Sequence, residues 1–251
     1  MTVNPSAERE EIAGFYDGFS ERLFRDYING NPRIDLAIES VCRQIPDRPC
    51  RVLDIGCGIG QSAYRYVGSR PLARVTAIDI SPQNIATAER FFPHPQIEHA
   101  VSNLTDGVVQ GEYDVIAMLD VHEHIPRSEW EAVHANLAGW LGESGQLVMT
   151  IPSPEHQRDL YDNHPDGLQV VDEVITLADI ATIAERLSTT VLEMRYVSAW
   201  RGSDYVHVVF ARDVGYARKE NALDTSLLGR VRRKVGQWRR SRRVQSLRAT
   251  R

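Results

Sequence analysis

The sequence predicts an α/β fold: a doubly wound, mostly parallel sheet of seven strands with an antiparallel last strand, capped by N-terminal helices. Three observations carry this. Short apolar runs alternate with helical patterns from residue 51 to residue 151, the order that gives a parallel sheet covered on both faces. The first run feeds directly into the glycine-rich stretch Gly56-Cys57-Gly58-Ile59-Gly60. Two β-rich runs, 189–197 and 205–211, flank Arg201-Gly202-Ser203-Asp204 and read as a closing hairpin.

Taken in order, residues 8–45 read as helices. Ile12, Phe15, Tyr16, Phe19, Leu23 and Tyr27 recur at three-and-four spacing, and Ile34, Ile38, Val41 and Ile45 repeat it beyond the turn Asn29-Gly30-Asn31-Pro32. Strands are expected at 52–55, 75–80, 97–101, 113–119 and 146–151, and helices over 81–92 and 128–141. The second of these helices opens on the capping box Ser128-x-x-Glu131 and closes at Gly142. Residues 152–175 break the rhythm with Pro152, Pro154, Pro165 and Gly167, and are expected to form a lid or acceptor insertion. A further helix starts at a second capping box, Thr176-x-x-Asp179. The chain thus divides into a helical cap (1–46), the main domain (47–213) and a tail (214–251).

Charge is uneven along the chain. Of 29 basic and 34 acidic side chains, 12 and 2 fall beyond residue 217, which leaves an acidic body with 17 and 32 and a basic tail. An acidic body disfavours nucleic acid as a partner. The only lysines, Lys219 and Lys234, lie in the tail, which excludes a lysine base in the folded domain. Three cysteines (Cys42, Cys50, Cys57) form neither a disulfide framework nor a metal-binding spacing. With no leader pattern and no apolar stretch of ~18–20 residues, the expected location is the cytoplasm. In the tail, Leu228, Val231, Val235 and Trp238 recur at helical spacing amid arginines. This suits either peripheral contact with an anionic membrane surface or a solvated extension that Gly229 and Gly236 keep from helix.

The chemistry lies where the first strand ends. Glycines let backbone approach a ligand closely, and the helix that follows offers free N–H groups. Asp79 ends the next strand, where a carboxylate accepts both hydroxyls of a ribose. This much fits any nucleoside-bearing cofactor, including a dinucleotide. However, Gln61 stands where the dinucleotide pattern has its third glycine, and Asp54 directly precedes the turn. A carboxylate there repels a pyrophosphate and suits an amino acid and a sulfonium.

The series Asp54-x-Gly56-x-Gly58-x-Gly60 followed by Asp79 resembles the first two motifs of class I S-adenosylmethionine-dependent methyltransferases, whose sheet is Rossmann-like. The resemblance runs over about residues 47–151. Asn103 matches the position that meets the adenine amine, where most relatives carry Asp. Residues 113–126, ending Asp120-Val121-His122-Glu123-His124-Ile125-Pro126, are similar to the fourth strand and its Glu-His-Ile/Val-Pro continuation. Leu141-Gly142-Glu143-Ser144-Gly145-Gln146-Leu147 is similar to the approach to strand five, with Glu143-Ser144 replacing Pro-Gly. The resemblance implies S-adenosyl-L-methionine as cofactor and S-adenosyl-L-homocysteine as product. It gives Asp54 and the glycine loop the methionine portion, Asp79 the ribose and Asn103 the adenine edge. Cys57, Ile80, Leu104 and Asp120 complete the expected cofactor contacts.

Methyl transfer is an in-line displacement that needs chiefly positioning, and a hydroxyl acceptor also profits from a base. The candidate bases are His122, His124 and His156, near the carboxyl ends of strands four and five. The resemblance points first to His124, and a base-free mechanism stays open. Relatives that methylate nucleobase amines carry an Asn/Asp-Pro-Pro-aromatic box that is missing here. Metal-dependent relatives place an Asp-Asn pair where Pro152-Ser153-Pro154 stands, so no metal is expected. The acceptor pocket is expected to draw on Tyr16, Tyr27, Asn29, Asn31, Arg33, His156, Tyr161, His164 and Gln169, a set suited to a sugar, glycan or other small polyhydroxylated acceptor. The alternatives are N- or C-methylation of another metabolite, or a non-catalytic cofactor-binding or membrane-associated scaffold. Cys57 is expected to be small and buried, Asp114 to cap or pair, His134 to lie at the surface or boundary, and Met118 and Trp130 in the core.

Overall fold

Among the described residues, seven strands form a single sheet: β1 (Cys50–Ile55), β2 (Ala73–Asp79), β3 (Ile97–Val101), β4 (Tyr113–Leu119), β5 (Leu141–Pro152), β6 (Thr190–Val197) and β7 (Tyr205–Ala211). Their order is β3-β2-β1-β4-β5-β7-β6. This computed structural model describes Gly14 and residues 20–214. β1 through β5 pair in parallel, and β7 inserts antiparallel between β5 and β6. The doubly wound, Rossmann-like sheet with its closing antiparallel hairpin is as the sequence predicts.

Successive side chains of a strand point to opposite faces, and here both faces are covered. Val52, Val75, Val115 and Val148 pack with Ile38, Val41, Ile45 and Tyr66 on one side. Leu53, Ile116, Met118 and Met149 pack with Trp130, Leu137, Ile180 and Ile183 on the other. The first face is covered by α2 (Pro32–Gln44), α3 (Gln61–Ser69) and α4 (Pro82–Phe91), and the second by α5 (Trp130–Trp140) and α7 (Leu177–Arg186). α1 (Ser20–Asn29) precedes α2 across the expected turn, where Gly30 has φ 79° and Asn31 caps α2 by accepting from Arg33 N–H at 3.1 Å. Ile12, Phe15, Tyr16 and Phe19 lie outside the described residues, as does the whole tail pattern from Leu228 to Trp238.

Some local expectations are corrected. α5 starts at Trp130, after a 3₁₀ turn at Arg127–Glu129, and its N-cap makes no side-chain bond. Ser128 is therefore inside a helical turn and cannot take the extended conformation of a capping residue. Gly142 does not end that helix: β5 already begins at Leu141, and a Cβ on Gly145 would lie 2.9 Å from the Tyr113 carbonyl, so the glycines let an irregular strand segment press on β4. By contrast, Thr176 and Asp179 form the full reciprocal box at α7. The insertion after β5 contains a helix that breaker residues concealed, α6 (Pro154–Asn163), with Ser153 as N-cap and Pro154 at its first position.

Candidate active site

Between β1 and β4 the sheet order reverses, and ligands of such sheets bind in the crevice outside the strands' carboxyl ends. A cavity of about 590 Å³ opens there, within the range of small-molecule sites. Gly56 leads the chain out of β1 at φ 71°, and a Cβ on it would stand 2.4 Å from Val121 Cγ2. Only glycine fits. Gly56 and Cys57 donate their N–H groups to the Ile78 carbonyl at 2.8 and 2.9 Å, and Gly58 N–H donates to Asp79 Oδ2 at 2.8 Å. The loop thus hangs from the end of β2.

Asp79 also accepts from Ser81 N–H at 2.9 Å and from Asn84 Nδ2 at 3.2 Å. Asn84 in turn accepts from Ser20 Oγ at 2.9 Å, which ties α1 to the site. Leu23 of α1 leans over the loop, 3.0 Å from where a Gly58 Cβ would be. Asn103 lines the cavity with its Oδ1 engaged by Thr105 N–H and Oγ1 at 3.0 and 3.1 Å. What it offers a ligand is therefore its amide N–H pair. Leu104 and Asp120, both lining the cavity, are non-glycine residues at φ 70° and 53°. Such strain persists where surrounding bonds over-determine it. Here Leu104 N–H donates to Ser102 Oγ, Thr150 Oγ1 donates to Asp120 Oδ1 at 2.7 Å, and Arg33 of α2 pairs with Asp120 Oδ2.

Beyond β4 the histidines diverge. His124 Nδ1 lies 2.8 Å from the Val171 carbonyl and 3.3 Å from Asp172 Oδ1. Burial by itself would lower its pKa, but the bond to Asp172, the charge of Glu123 and the Val171 carbonyl together raise it to about 9. His122 is fully buried, its Nε2 2.9 Å from His134 Nε2 and its ring 4.7 Å from that of Trp130. Burial and then the neighbouring His134 push it down to about 3. His156, on α6, faces the cavity with its ring 5.6 Å from that of Tyr205. Burial lowers its pKa, so it is neutral at pH 7.

Residues 52–145 match the methyltransferase domain family. The chain carries a class I S-adenosylmethionine-dependent methyltransferase domain. The malonyl-[acyl-carrier protein] O-methyltransferase of Halalkalibacterium halodurans is 30% identical over 139 residues, covering 52% of this chain and 51% of that protein. The release factor glutamine methyltransferase of Escherichia coli is 31% identical over 68 residues, 27% of this chain and 24% of that protein. The chain therefore spans about half the length, or less, of these relatives. The crystal structure of magnesium protoporphyrin IX methyltransferase from Synechocystis PCC 6803 with bound S-adenosylhomocysteine superposes with a TM-score of 0.66 at 20% identity, over 82% of this chain and all of that one. That likeness is one of fold.

The methyltransferase loop fits its cofactor: at Gly56, where a Cβ would strike Val121, bare backbone lines the cavity, and the Asp79 carboxylate lines it at the end of β2. Gly56, Cys57, Gly58, Asp79, Ile80, Asn103, Leu104 and Asp120 line the cavity. Asp54 and Gly60 do not. Asp54 is buried beneath the loop and accepts from Ser62 Oγ at 2.5 Å, pushed up to about 7 chiefly by burial, so it fastens α3 to β1. Gly60, at φ 88°, caps α3 against Ala88. Cys57 is buried, and burial raises its thiol well above the ordinary value, which makes it inert.

His124 and His156 line the cavity, whereas His122 packs in the core and His134, expected near the surface, is buried with it. Met118 and Trp130 are core residues, and Asp114 accepts from Arg48 and from Arg51 N–H at 2.8 Å each. Of the expected acceptor residues, Asn31, Arg33, His156 and Gln169 line the cavity. Tyr27, Asn29, Tyr161 and His164 do not, and Tyr16 lies outside the described residues. Sequence reasoning missed Glu123, Gln157, Asp172, Trp200 and Tyr205, all lining it. The Ser153-Pro154-Glu155 start of α6 was a legible helix signal and would have set His156 and Gln157 on one helix. Nothing local marked Trp200, which a turn anchored on Asp204 carries to the site: Asp204 accepts from Ala199, Trp200 and Arg201 N–H at 2.8–3.0 Å.

Proposed function

We propose that this protein transfers a methyl group from S-adenosylmethionine to a hydroxyl of a sugar, glycan or other small polyhydroxylated acceptor, and that His156 takes the hydroxyl proton. The cofactor supplies an electrophilic methyl on a sulfonium. The loop from Gly56 to Gly58 and Asp79 hold it, and Asn103 meets the adenine edge.

The observation that carries the reading is the split between the two histidines that line the cavity. Environments that push two titratable groups apart assign their roles. His124, protonated and bound to Asp172 and Val171, has no free lone pair for a proton, so it fixes the strap formed by residues 168–174 over the cavity. Glu173 N–H donating to the Glu123 carbonyl at 2.7 Å and Arg127 bound to Glu173 support the same closure. His156 is the neutral imidazole facing the cavity. Loss of a general base costs about 10²–10⁴-fold, so His156→Gln should lower kcat at least ~10²-fold on hydroxyl acceptors while S-adenosylhomocysteine binding holds. The wild-type acid limb should fall below pH 6.5, because burial depresses His156 from that value. The assay is labelled methyl transfer to nucleotide sugars, lipid-linked glycans and phenols. Transfer to amines alone, indifferent to His156→Gln, would establish the N-methylation reading instead.

We place the protein in the cytoplasm, with the basic tail reaching an anionic membrane surface. No helix among the described residues is long and apolar enough to cross a membrane. Co-sedimentation of the full chain with phosphatidylserine vesicles, absent with phosphatidylcholine alone and abolished by salt, is the expected result. Equal recovery without vesicles sinks the membrane reading.

A further inference from the structure

The acceptor half of the cavity is walled by polar atoms that no protein group satisfies. Gln157 is buried with neither amide atom hydrogen-bonded, and Glu123 Oε2 and Arg33 Nε are likewise buried without partners. All three residues line the cavity, from α6, the segment after β4 and α2 respectively. Buried polar atoms are nearly always paired, and leaving one unmade is costly. Three such residues lining one cavity point to a ligand that supplies the missing partners.

Charge is already balanced there, since Arg33 pairs with Asp120 and His124 with Asp172. The unmet demand is for hydrogen bonds: donors at Arg33 Nε and at Gln157 Nε2, an acceptor at Gln157 Oε1, and at Glu123 Oε2 a carboxyl oxygen that donates when protonated and accepts otherwise. Burial pushes the Glu123 carboxyl up, which favours the neutral acid. A hydroxyl both donates and accepts. A carboxylate or phosphate meets only the donors and leaves Gln157 Oε1 unpaired, while an ammonium meets only the acceptors and faces Arg33. Trp200, 56% exposed, and Tyr205 add two ring faces 6.0 Å apart beside Arg33.

We propose that Arg33, Glu123 and Gln157 form the acceptor-recognition subsite, and that it takes a neutral ring bearing adjacent hydroxyls, a pyranose or cyclitol, in preference to an anionic or amine acceptor. This rests on reading the cavity as a methyltransferase acceptor site. The full chain, loaded with S-adenosylhomocysteine, is titrated with methyl α-D-glucopyranoside, methyl α-L-rhamnopyranoside, myo-inositol, malonate and ethanolamine, followed by tryptophan fluorescence and saturation-transfer NMR. Saturable binding of at least one neutral polyol, and of neither charged probe, is expected. Gln157→Leu and Gln157→Glu should weaken it at least tenfold, with S-adenosylhomocysteine affinity and Tm kept. No polyol binding, saturation by malonate or ethanolamine instead, or full affinity in either folded variant overturns the assignment. Absence of S-adenosylhomocysteine binding sinks the methyltransferase reading and this one with it, whereas cofactor binding without polyol binding sinks this one alone.

Discussion

Asp79 gathers three donors from two segments: the glycine loop, and the Ser81 N–H and Asn84 side chain at the start of α4. A carboxylate so held is preorganised for a diol, and its loss also frees the loop. Asp79→Ala should therefore weaken S-adenosylhomocysteine at least tenfold in calorimetric titration, and an unchanged affinity would remove Asp79 from the cofactor site. Asp54 teaches the complementary lesson. Its position before the turn is a readable motif, yet its carboxylate is spent on Ser62 beneath the loop. The two aspartates look alike in the sequence and both are buried, but the fold sets Asp79 at the cavity wall and Asp54 beneath the loop.

Individual elements were legible where a periodic pattern and a cap agreed. β3, β4 and β7 fall at the expected residues, and α7 starts at the Thr176 box. Removing one such cap costs about 1 kcal/mol, so Thr176→Ala should lower the unfolding free energy by that amount, read as a lower urea midpoint at unchanged m-value, and no change would show the box to be idle. α6 was missed because Pro152, Pro154 and Pro165 were read as breakers, although a proline at the first helical position costs nothing. The box at Ser128 failed for the opposite reason: the residue pattern was right, but a 3₁₀ turn had already begun. Cap motifs state what a backbone can do, and packing chooses whether it does.

At the scale of the molecule, pH acts through groups with opposite shifts. His122 and His134 sit at about 3 and 4 in the fold, below the ordinary 6.5, because burial disfavours their charge. Below pH 6.5 the unfolded chain takes up protons that the fold refuses, so their contribution is present above 6.5 and is lost as pH falls toward 4. His124 is raised to about 9, so its contribution is full below 6.5 and drains away as pH rises through 9. Asp54 and Glu123, both raised by burial, likewise lose their contribution as pH rises, so stability from urea unfolding should fall above pH 6.5, and His124→Gln should flatten that alkaline limb. An alkaline limb unchanged in that variant would show that the strap does not depend on the imidazolium.

The sequence by itself determined the order of strands and helices, the glycine loop and the acid at the end of β2. These are local matters: period-2 and period-3.6 patterns and a backbone that tolerates only glycine. Only the tertiary structure decided that His124 and His156 line the cavity while His122, two residues before His124, packs in the core. It likewise brought Arg33 to one cavity with Gln157 and Trp200, each more than a hundred residues further along the chain. The reason is physical. Local pattern fixes what each segment forms, whereas burial and the charges of distant segments fix which side chain stays neutral, which is paired and which is left to meet a ligand.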